Sequence, residues 1–137
     1  MALTTEDAHV SVPRRGLQAA RNEAQEALEI VLGSLADSKA EDVVSIDVTG
    51  KTAMADYIVV ASGRSHRHVG AISDHLIRDL KSGHVRGVRV EGLAHGDWVL
   101  IDAGDVIVHI FRPEVRDFYN IEKMWSAETA GAIHLVS

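Results

Sequence analysis

The feature that most constrains the fold is an apolar run at residues 57–61 (YIVVA), in which apolar and polar side chains do not alternate. In a strand with one solvent-exposed face, apolar and polar side chains alternate, whereas an apolar strand without alternation is covered on both faces. The run therefore predicts a central strand with packing above and below it. Residues 62–65 (SGRS) end the strand, and Ser65 is suited to cap the helix that follows. The apolar stripe of that helix consists of Val69, Ile72, Leu76 and Leu80.

Further elements are predicted on either side of this run. Between residues 17 and 35 apolar side chains recur every three or four positions, which is the period of an amphipathic helix. Gly83 is suited to close the helix after residue 65 in the left-handed conformation. Pro113 suits the first turn of a last helix, which extends to Trp125. The predicted strands are residues 44–48, 57–61, 88–91, 98–102 and 105–111.

The order of these elements predicts an α/β (α+β) domain in which a mixed five-stranded sheet carries flanking helices. Only Ala103-Gly104 separates the last two strands, so they should form an antiparallel hairpin with the glycine second in the turn. The strand–helix–strand passage from residue 57 to residue 91 permits one right-handed parallel crossover. The pattern leaves the strand order open.

A chain of 137 residues has room for one domain. All periodic segments lie within residues 17–125, so we expect mobile ends at 1–16 and 126–137. No run of apolar residues is long enough to span a membrane. The absence of cysteine fits a reducing compartment, and we expect a cytoplasmic protein.

The formal net charge of −6 argues against long-range attraction to nucleic acid. The charges are nevertheless distributed in zones. Residues 63–89 hold six basic and two acidic side chains, whereas residues 91–105 hold four acidic side chains and no lysine or arginine. The chain therefore offers separate basic and acidic surfaces to a partner.

Three groups of polar residues could hold an ion. Residues 62–65 place backbone N–H donors, a helix N-terminus and Arg64 together, and these groups can bind an anion. Capped helices that follow strands are nevertheless common without an anion site. Asp102 and Asp105 flank the hairpin turn and could share a cation, but turn chemistry is the favoured interpretation. Spacing alone does not complete a zinc site around His66, His68 and His75. We expect no metal and no cofactor.

Two of the six aromatic residues, Trp98 and Tyr119, lie at the edges of predicted elements beside charged side chains. Aromatic residues in such places are typical interface anchors, although a core role is equally compatible with the sequence. His109 alternates with apolar residues and is predicted to be a packed, hydrogen-bonded core histidine.

Two sets of linked motifs resemble a known family. The first set comprises residues 56–65 (DYIVVASGRS), 67–69 (RHV) and 74–75 (DH). The second set comprises residues 90–92 (VEG), 97–102 (DWVLID), 104–109 (GDVIVH), Tyr119 and residues 122–125 (EKMW). In order and spacing they resemble the ribosomal silencing factor (Iojap-like) family, over roughly residues 17–125.

The resemblance implies a nucleotidyltransferase-like fold and a translational repressor. Such a protein would bind the large ribosomal subunit through a basic ribosomal protein at the inter-subunit face and sterically block joining of the small subunit. The family's docking tryptophan and tyrosine match Trp98 and Tyr119. Attraction between the acidic zone and a basic protein is consistent with that docking. The expected partner-binding residues are Trp98, Tyr119, Asp97, Asp102, Asp105 and Glu122.

Two other functions are compatible with parts of the sequence. An active nucleotidyltransferase would hold a triphosphate at Ser62-Gly63, but it needs two alternating carboxylates on a strand soon afterwards, and residues 66–81 are predicted to be helical. An RNA-binding module could use the basic zone, which lacks interleaved aromatic residues. We expect no catalytic turnover, no membrane contact and no sequence-specific nucleic-acid binding. The oligomeric state is open, with a homodimer among the options.

Overall fold

The central run of apolar residues is the second strand of a mixed sheet. A computed structural model describes residues 14–128 and 133–135 of the chain. The helices are α1 (Arg14–Asp37), α2 (His66–Ser82), α3 (Pro113–Tyr119) and α4 (Ile121–Glu128). The strands are β1 (Glu41–Asp47), β2 (Tyr57–Ser62), β3 (Arg89–Glu91), β4 (Trp98–Asp102), β5 (Val106–Phe111) and β6 (Ile133–Leu135).

The strands lie in the order β3-β4-β5-β2-β1-β6. Among the described strands the one parallel pair is β2 with β5, and all other neighbours are antiparallel. Both β2 and β5 are central and buried over almost their whole length, because helices cover the two faces of the sheet. The mixed sheet with flanking helices and the two-faced central strand are therefore confirmed.

The alternation of side chains along β2 divides the core into two parts. Val59 and Ala61 face α1 and α2, in a cluster that includes Val31, Leu35 and Leu76. On the other face, Ile58 and Val60 pack with Phe111 of β5, and Trp98, Val115, Ile121 and Trp125 contact that cluster from β4, α3 and α4. The domain thus has two long helices on one face and two short helices on the other.

Over residues 14–128 and 133–135 the sheet has six strands rather than the five predicted. The sixth, Ile133–Leu135, comes from the segment that was expected to be a mobile tail, and it pairs antiparallel with β1. An edge strand presents unpaired N–H and C=O groups. A short extended segment can pair with them even when the sequence of that segment does not predict a strand. Three residues are too few for a periodic pattern to reveal them.

The passage from β2 through α2 to β3 is a crossover between strands of the same direction, as the sequence permitted, although β5 and β4 lie between them. Three local predictions were wrong in detail. The hairpin closes with the N–H of Ala103 donating to the carbonyl of Val106 at 2.9 Å, which makes Gly104 (φ +86°) the first turn residue rather than the second.

The other two differences concern helix ends. Gly83 caps α2 at a φ of −83°, and the left-handed residue is His84, whose φ is +65°. Ser65 caps the start of α2 as predicted, since its Oγ accepts the N–H of His68 at 3.1 Å. The last helix is broken into α3 and α4 at Asn120, which adopts the left-handed conformation that asparagine tolerates better than most residues.

Candidate functional site

Trp98 is the first residue of β4, and its ring is half-buried on the face of the sheet that α3 and α4 cover. Its centroid lies 4.9 Å from the ring of Phe111 and 4.8 Å from the ring of Tyr119. The indole Nε1–H donates to Nδ1 of His109 at 3.1 Å. Trp98 therefore links the buried sheet to an exposed tyrosine, and its contacts with Phe111 and His109 give it part of the core role that the sequence left open.

The environment of His109 determines its protonation. The side chain is buried on β5, and burial lowers the pKa of His109 from 6.5 to about 4. At neutral pH the imidazole is uncharged, and because Nδ1 accepts the indole N–H its proton lies on Nε2. The prediction of a packed, hydrogen-bonded histidine is confirmed.

A patch of exposed apolar side chains lies beside Trp98. Phe118 is 79% exposed and Tyr119 is 51% exposed, with their rings in edge contact at 5.0 Å. Together with Trp98 and Val115 they line a shallow groove, which we call the aromatic patch. Large apolar side chains exposed together mark interaction sites more often than isolated ones do. Phe118 was not singled out from the sequence, although its place beside Tyr119 in a predicted helix was a signal.

A close backbone contact helps to position Trp98. Gly92 has a φ of +84°, and a Cβ at this position would lie 2.2 Å from the carbonyl oxygen of Trp98. No other residue type fits without displacing β4. The carbonyl of Gly92 also accepts the N–H groups of His95 and Gly96, which closes the loop before β4.

Asp97 lies at the rim of the patch, but its charge is already paired. Its Oδ1 accepts from Nε of Arg112 at 2.9 Å and lies 2.6 Å from Nε2 of His66. These hydrogen bonds, first that of Arg112 and then that of His66, lower the pKa of Asp97. Asp97 thus joins the start of α2 to the start of α3 beside Trp98, and little of its charge is free to attract a partner.

Glu122 is paired in a similar way. Its carboxylate accepts from Nε and Nη2 of Arg116 at 2.8 and 2.7 Å, and Nη1 of Arg116 donates to Oγ of Ser62 at 2.8 Å. The structure therefore places the predicted partner-binding residues Trp98, Tyr119, Asp97 and Glu122 around one face. The two acids contact arginines of α3 and its cap.

Asp102 and Asp105 lie elsewhere. Asp102 is four residues beyond Trp98 along β4, or about 13 Å. Its Oδ1 accepts the N–H of Gly104 at 2.9 Å, which is the turn chemistry favoured above. Burial, followed by the nearby carboxylates of Asp56 and Glu23, raises the pKa of Asp105. These two acids are thus separate from the aromatic patch.

The turn at residues 62–65 has few donors left for an anion. The N–H of Gly63 donates to the carbonyl of Phe111 at 2.9 Å, and the N–H of Arg64 donates to Nδ1 of His68 at 2.9 Å. The guanidinium of Arg64 pairs with Glu41 at 2.7 Å. These contacts argue against the triphosphate site that a nucleotidyltransferase would need here.

The histidines considered for zinc are not brought together. Nε2 of His68 lies 3.0 Å from the carbonyl of Ser38, and His66 pairs with Asp97. Over the described part of the chain, one group has metal-ligating spacing: Asp37, His75 and Asp79, with donor atoms within 4.8 Å of one another. It lies at the surface of α1 and α2, across the sheet from the aromatic patch.

Within the described residues no helix has the length and apolar character needed to cross a bilayer.

Comparison with known proteins agrees with the motifs. Residues 21–136 match the family model described as "Ribosomal silencing factor during starvation". The chain belongs to the ribosomal silencing factor family. The Zymomonas mobilis ribosomal silencing factor is 49% identical over 98 residues, which cover 72% of this chain and 74% of that protein. Several relatives of this chain carry the name of a silencing factor rather than that of an enzyme.

The fold of the family is also known. A crystal structure from Chromobacterium violaceum superimposes on this chain with a TM-score of 0.73 and 38% identity, covering 75% of this chain and 86% of that one. A mouse relative, "Mitochondrial assembly of ribosomal large subunit protein 1", is 31% identical over 72% of this chain and 45% of its own length. The aromatic patch lies within the residues that match the family model.

Proposed function

We propose that this protein represses translation by binding the large ribosomal subunit and sterically blocking its joining to the small subunit. The observation that carries this proposal is the aromatic patch, in which Trp98, Phe118 and Tyr119 are exposed or half-exposed. Aromatic residues grouped on one surface and backed by a rigid sheet are the typical anchors of a protein–protein interface. The patch is thus a preformed docking face.

The charges around the patch favour a basic ribosomal protein as the contact. Asp97 and Glu122 are paired internally and Glu114 contacts Arg112, but the side chain of Glu114 is 66% exposed and Asp117 is exposed as well. Acidic side chains at the rim of an apolar patch attract a partner with lysines or arginines around an apolar spot. They also repel RNA phosphates, so the docking face selects the protein part of the ribosome.

The choice of subunit rests on family membership and on the name of the mouse relative, which refers to assembly of the large subunit. The steric block follows from the three layers of the domain. A sheet between two layers of helices, each roughly 10 Å across, adds a rigid body of about 30 Å to the surface on which it docks. At the inter-subunit face such a body prevents close approach of the small subunit. With relatives from bacteria such as Zymomonas mobilis, a ribosomal partner favours a cytoplasmic location.

Sedimentation of the protein with isolated subunits tests the proposal. We expect co-migration with the large subunit and not with the small one, and loss of that binding in Phe118→Ala with Tyr119→Ala. Met54→Ala is the matched control, because Met54 is 72% exposed but lies in the β1–β2 loop, at the opposite end of β2 from α3. The stoichiometry at saturation shows whether the protein binds as a monomer or a homodimer.

Subunit joining provides the second measurement. Large subunits incubated with the protein before small subunits are added should form few joined ribosomes, and the double alanine variant should leave joining unaffected. Binding to the small subunit alone, or joining that is unchanged at saturating protein, would contradict the proposal.

A further inference from the structure

The helix that carries Phe118 and Tyr119 is held to the domain by an arginine. Arg116 is 6% exposed and is the one buried residue of α3, whereas Val115 is only partly buried. Phe118 is 79% exposed, and Tyr119 is 51% exposed and holds the helix only by its ring contact with Trp98. Helices of seven and eight residues, the lengths of α3 and α4, are not stable by themselves in water. The position of α3 therefore depends strongly on what Arg116 contacts.

The guanidinium of Arg116 joins three elements. It makes a two-pronged contact with Glu122, the second residue of α4, and it donates to Ser62, the last residue of β2. A planar guanidinium bound at both edges accepts a narrow range of orientations. These contacts hold α3, α4 and the end of β2 in one relative arrangement.

Stability alone is a weak explanation for this network. Desolvation offsets most of the attraction in a buried ion pair, and replacement of both partners by apolar residues often costs no stability. What the pair provides is one defined geometry. Tyr119 lies between Arg116 and Glu122 in the chain, with its ring 4.8 Å from that of Trp98.

We propose that Arg116 is a positioning residue of the docking face. Through Glu122 and Ser62 it holds α3 so that Tyr119 stacks against Trp98 and Phe118 is presented to the partner. Glu122, expected to contact the partner, acts through Arg116 instead. This assignment rests on the proposed docking function.

The test replaces both charges at once, by Arg116→Met with Glu122→Met, so that neither charge is left unpaired. The matched control is Arg64→Met with Glu41→Met, which removes another arginine–glutamate contact of 2.7 Å that lies outside α3 and α4. The chain has two tyrosines, so incorporation of 3-fluorotyrosine gives one fluorine signal for Tyr119 and one for Tyr57. Tyr57 is in β2 and serves as the internal reference.

We expect the double methionine variant to melt within a few degrees of the wild type. Its Tyr119 signal should shift or broaden while that of Tyr57 stays in place, and its Kd for the large subunit should rise at least tenfold. The control should change neither signal nor Kd. An unchanged Tyr119 signal together with an unchanged Kd in the folded variant would overturn the assignment.

Arg116→Lys decides the matter if the double variant does not fold, because lysine keeps the charge but loses the two-pronged contact. A displaced Tyr119 signal with weaker binding supports the positioning role, and wild-type values for both overturn it. If the wild-type protein does not bind the large subunit, the proposed function fails. The fluorine signals then still test whether Arg116 positions Tyr119.

Discussion

Trp98 and His109 are joined by a hydrogen bond from the indole Nε1–H to Nδ1 at 3.1 Å, across the antiparallel pair β4 and β5. The bond requires an uncharged imidazole, because a protonated one has no acceptor nitrogen. A partly buried residue of the aromatic patch is thus attached to a buried group that can titrate. This relationship makes both the stability of the domain and the orientation of Trp98 depend on pH.

The first prediction concerns that titration. The pKa of His109 falls from 6.5 to about 4 on folding, so the unfolded chain binds the proton first as the pH drops. The free energy of unfolding should therefore decrease from about pH 6.5 downward and level off near pH 4, with a loss of roughly 3 kcal/mol from this residue. Urea melts of wild type and of His109→Gln should be recorded across this pH range, and the difference between their free energies of unfolding gives the contribution of His109. The control is His84→Gln, because His84 is exposed. Parallel pH profiles for wild type and His109→Gln would refute it.

Tyr119→Ala and Phe118→Ala should weaken binding without affecting the fold. Both side chains are exposed, so their truncation leaves no cavity, and surface substitutions away from the core usually change stability little. Loss of an interface anchor costs about 2 kcal/mol or more, which is roughly a thirtyfold rise in Kd for the large subunit. Thermal melts and subunit binding should be measured on the same preparations. A large drop in melting temperature would show that these side chains support the core instead.

Trp98→Ala should reduce both binding and stability. The ring contacts Phe111, His109 and Tyr119, so its removal leaves a cavity against the sheet and an unpaired Nδ1 on His109. We expect a loss of roughly 3 kcal/mol in the free energy of unfolding, at the lower end for core aromatics because the ring is half-exposed. Trp98→Phe should recover part of the packing but not the hydrogen bond. Wild-type stability in Trp98→Ala would show that the ring is not packed as described.

Asp97→Lys should act mainly on structure rather than on long-range attraction. The lysine would lie beside Arg112 and His66, which Asp97 now pairs, so three basic groups would converge at the start of α3. We expect a lower melting temperature and weaker docking, whereas Asp117→Lys, at an exposed position beside the patch, should mainly slow association with the large subunit. Stopped-flow association rates and thermal melts separate the two effects. Equal effects of both variants on association alone would mean that Asp97 faces the partner.

Removal of residues 126–137 should lower stability because β6 pairs with the edge of β1. From the sequence alone, residues 17–125 were expected to carry all binding. Because the aromatic patch lies within these residues, the truncated protein should still bind the large subunit at low temperature. The truncated protein should melt earlier than the full chain and expose the β1 edge to self-association. Removal of residues 1–13 is the comparison. A truncated protein with full stability would show that β6 contributes little.

Much of the architecture could be read from patterns that depend on neighbours along the chain. The unbroken run at residues 57–61 implied a strand covered on both faces, and the stripe from Val69 to Leu80 implied a helix on one of them. Such signals are local, because periodicity records which side chains a strand or helix buries. The linked motifs also identified the family, and they singled out Trp98 and Tyr119, whose rings the fold brings into contact.

Tertiary structure alone decided how those residues are used. Strand order, the pairing of β6 with β1 and the separation of Asp102 from Trp98 depend on which elements meet across the sheet, and local periodicity carries no record of that. The same holds for charge. In the sequence, Asp97 and Glu122 are acids free to attract a partner, whereas in the fold Arg112 and Arg116, 15 and 6 residues away respectively, pair with them. Only the fold shows that both acids are paired with arginines, because the sequence does not record which side chains meet.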